Sequence, residues 1–178
     1  VTHVASVVGD ANGGKWTMFN ALRAGVVDGA VQVSAARDRT RRTVGVPGGG
    51  PGILADTVGF IRHLAHRLVQ AFRAALEETV NASLLLHVTD SSVEESDANV
   101  AAVNEVLEEI GADTVPVLHV YNKVDALEDP SPRLERDEQG LPWRVWLSAQ
   151  TGEGFDLLHQ AIAERLADRW ADRRLRLL

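Results

Sequence analysis

The sequence predicts an α/β fold, a mostly parallel sheet with helices on both faces. Three observations carry that expectation. Short valine- and leucine-rich runs alternate with amphipathic segments of helical spacing, the pattern of a parallel sheet covered on both sides. The first apolar run, "HVASVVGD", passes through a glycine-rich turn into "KWTMFNALRAG", which gives a strand, a loop and a helix in succession. The polar clusters fall at the ends of the apolar runs, where sheets of this class place their ligands.

Taken in order, "HVASVVGD" is a short buried strand. In "KWTMFNALRAG", Met18, Phe19 and Leu22 can share a buried face, and Gly25 can end the helix. Residues 26–43 are polar and irregular, with the basic run "RDRTRR". "TVGVPGGGPGILADT" reads as a hairpin with glycine and proline at its tip. "LVQAFRAALEETV" is helical and "SLLLHVTD" is a buried strand. "ESDANVAAVNEVLEEIG" is an amphipathic helix stopped by Gly111, and "VPVLHVYNKVD" is a buried strand with a polar end. "EDPSPRLERDEQGLP" reads as a charged surface loop, "WRVWLSAQ" as a strand and "GFDLLHQAIAERLADRW" as the last helix.

A length of 178 residues suits one domain with a sizeable core. The composition, 45% hydrophobic and 24% charged, is that of a soluble globular chain. A formal net charge of -7 speaks against a dedicated nucleic-acid-binding domain but leaves room for a local basic patch. The absence of cysteine excludes disulfides and thiolate metal sites and fits a cytoplasmic protein. No apolar run reaches the ~18 residues of a membrane span, and no signal-peptide pattern is visible. The chain opens at Val1 in an apolar run and closes on "ADRRLRLL". The expectation is a piece of a longer protein, with one domain over residues 1–168 and the start of a further segment over 169–178.

Four polar clusters carry the chemistry. Gly9 opens a G-x-x-x-x-G-K pattern that ends at Gly14 and Lys15. Backbone N–H groups of Asp10, Ala11, Asn12, Gly13, Gly14 and Lys15 can form a nest for phosphate oxygens, helped by the positive end of the following helix. Lys15 can reach the outer phosphates. "DTVGF" follows the second strand of the hairpin: Asp56 can hold magnesium through a water, Thr57 and Val58 follow, and the Gly59 N–H can meet a terminal phosphate. In "NKVD", Asp125 can accept two hydrogen bonds from the ring N–H and exocyclic amine of guanine. Adenine offers the opposite pattern there, so the aspartate selects guanine. Asn122 can bridge base and loops, and the stem of Lys123 can cover the ring face. In "SAQ", comprising Ser148, Ala149 and Gln150, the Ala149 N–H can meet the guanine carbonyl. Each cluster alone could be an ordinary turn; their order, each at a strand end, makes the signal specific.

One position breaks the pattern. After Lys15 a phosphate loop carries a hydroxyl for magnesium, and here Trp16 stands in that place. Thr17 cannot simply replace it, because one step along a helix turns the side chain by about 100°.

On these residues the chain resembles the GTPase domain of HflX-type proteins, translation-factor-class GTPases that bind the large ribosomal subunit. The family typically reads "GYTNAGKSTLFNAL" where this chain has "GDANGGKWTMFNAL". Further matches are "DTVGFIRHLAHRLVQAFRAALEE", "NKVD", "SAQTGEGFDLL" and "ADRRLRLL", so the resemblance covers nearly the whole chain. It implies a Ras-like P-loop fold with a mostly parallel six-stranded sheet. It also implies GTP and GDP as ligands, Mg2+ as cofactor, and slow hydrolysis by in-line attack of water on the terminal phosphate. Lys15 and Gly59 would stabilise the transferring phosphate, and Thr17 would touch an inner one. The ribosome's large subunit is the implied partner, largely through a domain that precedes this one in the family.

The departures from the family pattern thin the magnesium site. The first switch of the family, "FATLDPTTRR", contains a threonine that closes over the metal, and "VSAARDRTRR" puts Ala35 or Ala36 there. Ser34 or Thr40 could compensate if the loop rearranges. A runner-up expectation follows: a degenerate guanine-nucleotide module that binds without hydrolysis and acts as an interaction domain. Other residues read more plainly. His87 and His119 lie in apolar strands as core histidines with satisfied hydrogen bonds. His63, His66 and Arg62 fall in the second switch, and Trp143 and Trp146 read as packing residues.

Overall fold

In a computed structural model of the chain, residues 3–9, 14, 17–18, 21, 41–46, 50–56, 83–94, 96–109 and 111–176 are described. Their strands are β1 (His3–Gly9), β2 (Arg41–Val46), β3 (Gly50–Asp56), β4 (Leu84–Asp90), β5 (Val117–Asn122), β6 (Arg133–Arg136) and β7 (Pro142–Trp146). Two helices, α1 (Ser96–Glu109) and α2 (Phe155–Arg176), follow β4 and β7. The strands form one sheet in the order β2-β3-β1-β4-β5-β7-β6. β1 pairs in parallel with β3 and β4, β4 with β5, and β5 with β7. Only the edge pairs, β2 with β3 and β6 with β7, are antiparallel.

The expected mostly parallel sheet is present, but the described residues give it seven strands rather than the six expected. The additional strand, β6, lies inside the segment read as a charged surface loop. Its residues Arg133, Leu134, Glu135 and Arg136 are half-buried or exposed. A charged sequence can form such an edge strand because only one side of it must pair. Charge at an edge also discourages pairing with another chain. A tight turn, in which Asp137 accepts from the N–H groups of Gln139 and Leu141, returns the chain to β7.

The helix boundaries follow local chemistry. α1 ends where Gly111 takes a φ of 77°. The Gly111 N–H donates to the Glu108 carbonyl (3.1 Å) and the Ala112 N–H to the Leu107 carbonyl (2.8 Å). That pair of bonds is a Schellman cap, which a glycine permits without a Cβ clash. Residues 17, 18 and 21 are helical, and the Met18 N–H donates to the Gly14 carbonyl (2.9 Å). The expected helix over "LVQAFRAALEETV" lies outside the described residues. α2 runs without a break from Phe155 to Arg176, past residue 168.

The sheet has two unlike faces. On one, Leu84, Leu86 and Val88 of β4, Leu118 and Val120 of β5 and Val145 of β7 pack with Met18 and with Leu158, Ala161, Ile162 and Leu166 of α2. Leu86, Leu118 and Leu158 are fully buried, and each such side chain contributes about 1.5–3 kcal/mol. The strand period of two puts Leu85, His87 and Thr89 on the other face. There His87 and His119, paired in register, have ring centroids 5.5 Å apart. Trp143 meets His119 edge-on at 6.2 Å, and Trp146 stacks on Tyr121 at 4.4 Å. The tryptophans are packing residues as expected. The histidines are core groups whose hydrogen bonding is incomplete: neither Nδ1 has a partner. Parallel neighbours set ring against ring there.

Both imidazoles are held neutral. Burial pushes His87 from 6.5 down to about 3, and the nearby His119 adds to the shift. Burial pushes His119 down to about 4, with the Arg144 and Arg165 cations acting in the same direction. Unfolded histidine takes up a proton near 6.5, so below that pH the unfolded chain binds more protons than the native one. Stability therefore falls as pH drops from 6.5 towards these values, by about 1.4 kcal/mol per pH unit for each histidine. His87→Phe should flatten the pH dependence of the urea-unfolding free energy between roughly pH 6 and pH 4, by about 1 kcal/mol per unit. Parallel curves for parent and variant would mean that His87 is charged in the native state.

Candidate functional site

Because β1, β3, β4, β5 and β7 run in one direction, their carboxyl ends share one edge of the sheet. Gly9 closes β1, Asp56 closes β3, Asp90 closes β4 and Asn122 closes β5. "SAQ" follows β7 after Leu147. The four clusters singled out in the sequence therefore meet at one edge, with Asp90 among them.

The best-defined part is "NKVD". Asn122 is buried, and its Oδ1 accepts the Ala149 N–H at 2.9 Å. Its carbonyl accepts from the Ser91 N–H (2.9 Å) and Ser91 Oγ (2.6 Å). Lys123 then takes a left-handed conformation, φ 67° and ψ 35°, which costs a residue with a Cβ about 1–2 kcal/mol. It persists because bonds on both sides hold it. The Val124 N–H donates to the Leu147 carbonyl (3.2 Å), and the Ala126 N–H to the Lys123 carbonyl (3.0 Å). This turn leads into the 3-10 helix Val124–Ala126, which presents Asp125 exposed at the edge.

The glycine loop reaches the same place. Gly14 has a φ of +81°, and a Cβ built on it would collide with Asn122 Nδ2 and come within 3.9 Å of Lys123 Cε. Glycine is needed there both for its backbone angle and for space. The glycine loop and "NKVD" are thus in contact.

Ser148 is fully buried and serves its own loop. Its N–H donates to the Glu153 carbonyl (3.0 Å), its carbonyl accepts from the Gly152 N–H (2.9 Å), and its Oγ accepts from the Thr151 N–H (3.2 Å). The Ala149 N–H, expected at the guanine carbonyl, is given to Asn122 Oδ1. Gln150 is exposed, and so is Thr17. The loop closes over Gly154, φ +90°, where a Cβ would sit 2.8 Å from Leu147 Cβ and 2.9 Å from Pro132 Cβ.

Asp90 belongs to none of the four sequence clusters, yet it lies at the same edge. Lys123 Nζ donates to Asp90 Oδ2 at 2.7 Å. Asp90 Oδ1 accepts from the Ser92 N–H (2.9 Å) and Ser92 Oγ (2.6 Å). Burial opposes ionisation of this carboxyl, but the hydrogen bonds from Lys123 and Ser92 hold it below the usual carboxylate value. A signal was present: a carboxylate closing an apolar strand, as in "DTVGF".

Several expected site residues lie outside the described residues: Asp10, Ala11, Asn12, Gly13, Lys15, Trp16, Thr40, Thr57, Val58 and Gly59, with Arg62, His63 and His66 of the second switch. The residues expected around magnesium fall mostly outside the described ones. Asp56, at the end of β3, is one carboxylate residue at that edge. Trp16 stands where a hydroxyl is expected, and an indole N–H offers no lone pair to a metal. Among the described residues no three His, Asp or Glu side chains gather as a metal site.

A family model described as "50S ribosome-binding GTPase" matches residues 4–123. The chain is 52% identical over 172 residues to the GTPase HflX of Escherichia coli K12, covering 97% of this chain and 40% of that protein. It is 47% identical over 154 residues to the GTPase HflX of Magnetococcus marinus, covering 86% and 35%. The chain thus spans about two fifths of the length of these relatives. A GTP-binding protein from Sulfolobus solfataricus, solved in complex with GDP, superposes with a TM-score of 0.70 at 24% identity, over 93% of this chain and 53% of that one. The FeoB G-domain from Methanococcus jannaschii does so with a TM-score of 0.65 at 21% identity, over 93% and 98%. At such identities the likeness shows the fold, the Ras-like P-loop fold that the sequence predicts.

Asn122→Ala would leave the Ala149 N–H without its acceptor. Urea denaturation should show a loss of about 1–3 kcal/mol, and Asn122→Asp, which keeps an oxygen there, should lose less. An unchanged midpoint for Asn122→Ala would mean that the bond contributes nothing to stability.

Proposed function

The chain belongs to the 50S ribosome-binding GTPase family as an HflX-type member, and from that premise we propose that it is a guanine-nucleotide-binding domain that hydrolyses GTP slowly. One observation above all supports this: Asn122 of "NKVD" bonds to Ala149 of "SAQ" and lies against Gly14 of the glycine loop. On this reading the contact links a base site to a phosphate site. Asp125 selects guanine by accepting from its ring N–H and amine. The stem of Lys123 covers one ring face, and Asn122 ties the base loops together. Lys15 and the amides of residues 10–15 hold the phosphates, and the Gly59 N–H meets the terminal one. Catalysis comes from positioning and charge stabilisation. The large ribosomal subunit is the proposed partner of the longer protein, and the cytoplasm is its compartment.

A second reading has its own support in the sequence. Trp16 replaces the metal hydroxyl, and Ala35 or Ala36 replaces the switch threonine. Weak magnesium binding, GDP favoured over GTP, and an interaction role without hydrolysis follow from these losses.

Titration with fluorescent GDP and a fluorescent non-hydrolysable GTP analogue, with and without magnesium, separates the two. Magnesium-sensitive binding of the analogue favours the hydrolysing domain. GDP binding alone, indifferent to magnesium, favours the degenerate module. No binding of either by the folded chain would overturn both. Trp16→Ser should increase the magnesium dependence of analogue binding; if it does not, the indole is not what weakens the metal site. Asp125→Asn should lower GDP affinity roughly 100-fold and shift preference to xanthine nucleotides, whose carbonyl accepts from the new amide. Retained GDP affinity would remove Asp125 from the base site.

A further inference from the structure

Among the residues that hold Lys123 is one from a distant segment, at the end of β4. Asp90 and Asn122 are register partners at the ends of β4 and β5. The Asp90 carboxylate, 14% exposed, grips the Lys123 ammonium at 2.7 Å. Its second oxygen is fixed by two donors from Ser92, the backbone N–H and Oγ. Ser91, between them, donates both its N–H and its Oγ to the Asn122 carbonyl. Residues 90–92 therefore clasp the first two residues of "NKVD".

We propose that Asp90 is a positioning residue for guanine-nucleotide binding, holding the Lys123 stem in place as a preformed cover for the base. This rests on the guanine-nucleotide reading above. A lysine stem has many rotamers, and ordering it on binding would weaken affinity. An ion pair made in the free protein removes that cost. The pair also fixes the ammonium to one side, so the methylenes are what the ring meets. Asp90 touches no base edge in this arrangement, so it sets affinity without setting which base is chosen.

The test uses fluorescent GDP with the 178-residue chain and its variants, each checked for folding by circular dichroism. Asp90→Asn should weaken GDP binding roughly 10-fold, and Asp90→Glu should recover part of that loss. The double variant Asp90→Asn/Lys123→Met should bind no more weakly than Lys123→Met alone, because the two residues act through one contact. The ratio of GDP to inosine diphosphate affinity should stay at the parent value. Parent-like affinity in Asp90→Asn, or losses that add in full in the double variant, would overturn the proposal. A merely structural role for Asp90 would give such additive losses. If Asp90→Asn does not fold, Ser92→Ala serves instead, since it loosens the carboxylate without removing it. A roughly 3-fold loss is expected, and parent-like binding would overturn the proposal. Failure of the folded parent to bind GDP would overturn the nucleotide reading itself and this inference with it, an outcome distinct from the others.

Discussion

Parallel strands in one sheet must end on the same side, and every feature of the candidate site depends on that constraint. The ladders of β1 with β3 and β4, of β4 with β5, and of β5 with β7 bring Gly9, Asp56, Asp90 and Asn122 to one edge. Segments far apart in the chain become neighbours: Asp90 and Lys123 are 33 residues apart, and Asn122 and Ala149 are 27. A slip of one residue in any of these ladders would turn each side chain of that strand to the opposite face. Register is protected on one face by the tightly packed leucines and valines beneath α2.

The two faces of the sheet make different demands. Beneath α2, apolar side chains pack without polar atoms to satisfy. On the other face, His87, Thr89, His119, Arg144 and Trp146 each carry a buried polar atom with no hydrogen-bond partner. Ring contacts are prominent on this face. The Arg144 guanidinium lies 3.9 Å from the Trp143 ring, and that of Arg133 lies 4.0 Å from the Trp146 ring. Such contacts are weaker than a satisfied hydrogen bond plus burial. This face, more than the leucine face, makes the fold sensitive to protonation.

Conformational cost is concentrated where the site is built. Lys123 sits in the left-handed region, and Gly14 and Gly154 have positive φ with no room for a Cβ. Each is held by neighbours from another segment: Lys123 by β4, Gly14 against Asn122, and Gly154 against Leu147 and Pro132. "NKVD" is thus held by contacts with several other segments among the described residues.

The sequence by itself determined the fold class, the order of the motifs and the edge on which they meet. Alternating valine-rich runs and helical spacing are local signals, and a strand's carboxyl end is where its polar residues must go. It also located the departure at Trp16, since a missing hydroxyl is visible in one letter. What only the tertiary structure decided depends on contacts between distant segments. The seventh strand could not be read from "PRLERD", because an edge strand needs just one neighbour and carries no apolar period. The unpartnered Nδ1 atoms of His87 and His119 follow from β4 and β5 lying side by side. The grip of Asp90 on Lys123, and the Ala149 N–H turned to Asn122, exist only once those strand ends are adjacent. Sequence spacing says what a residue can do; register decides which neighbour it does it with.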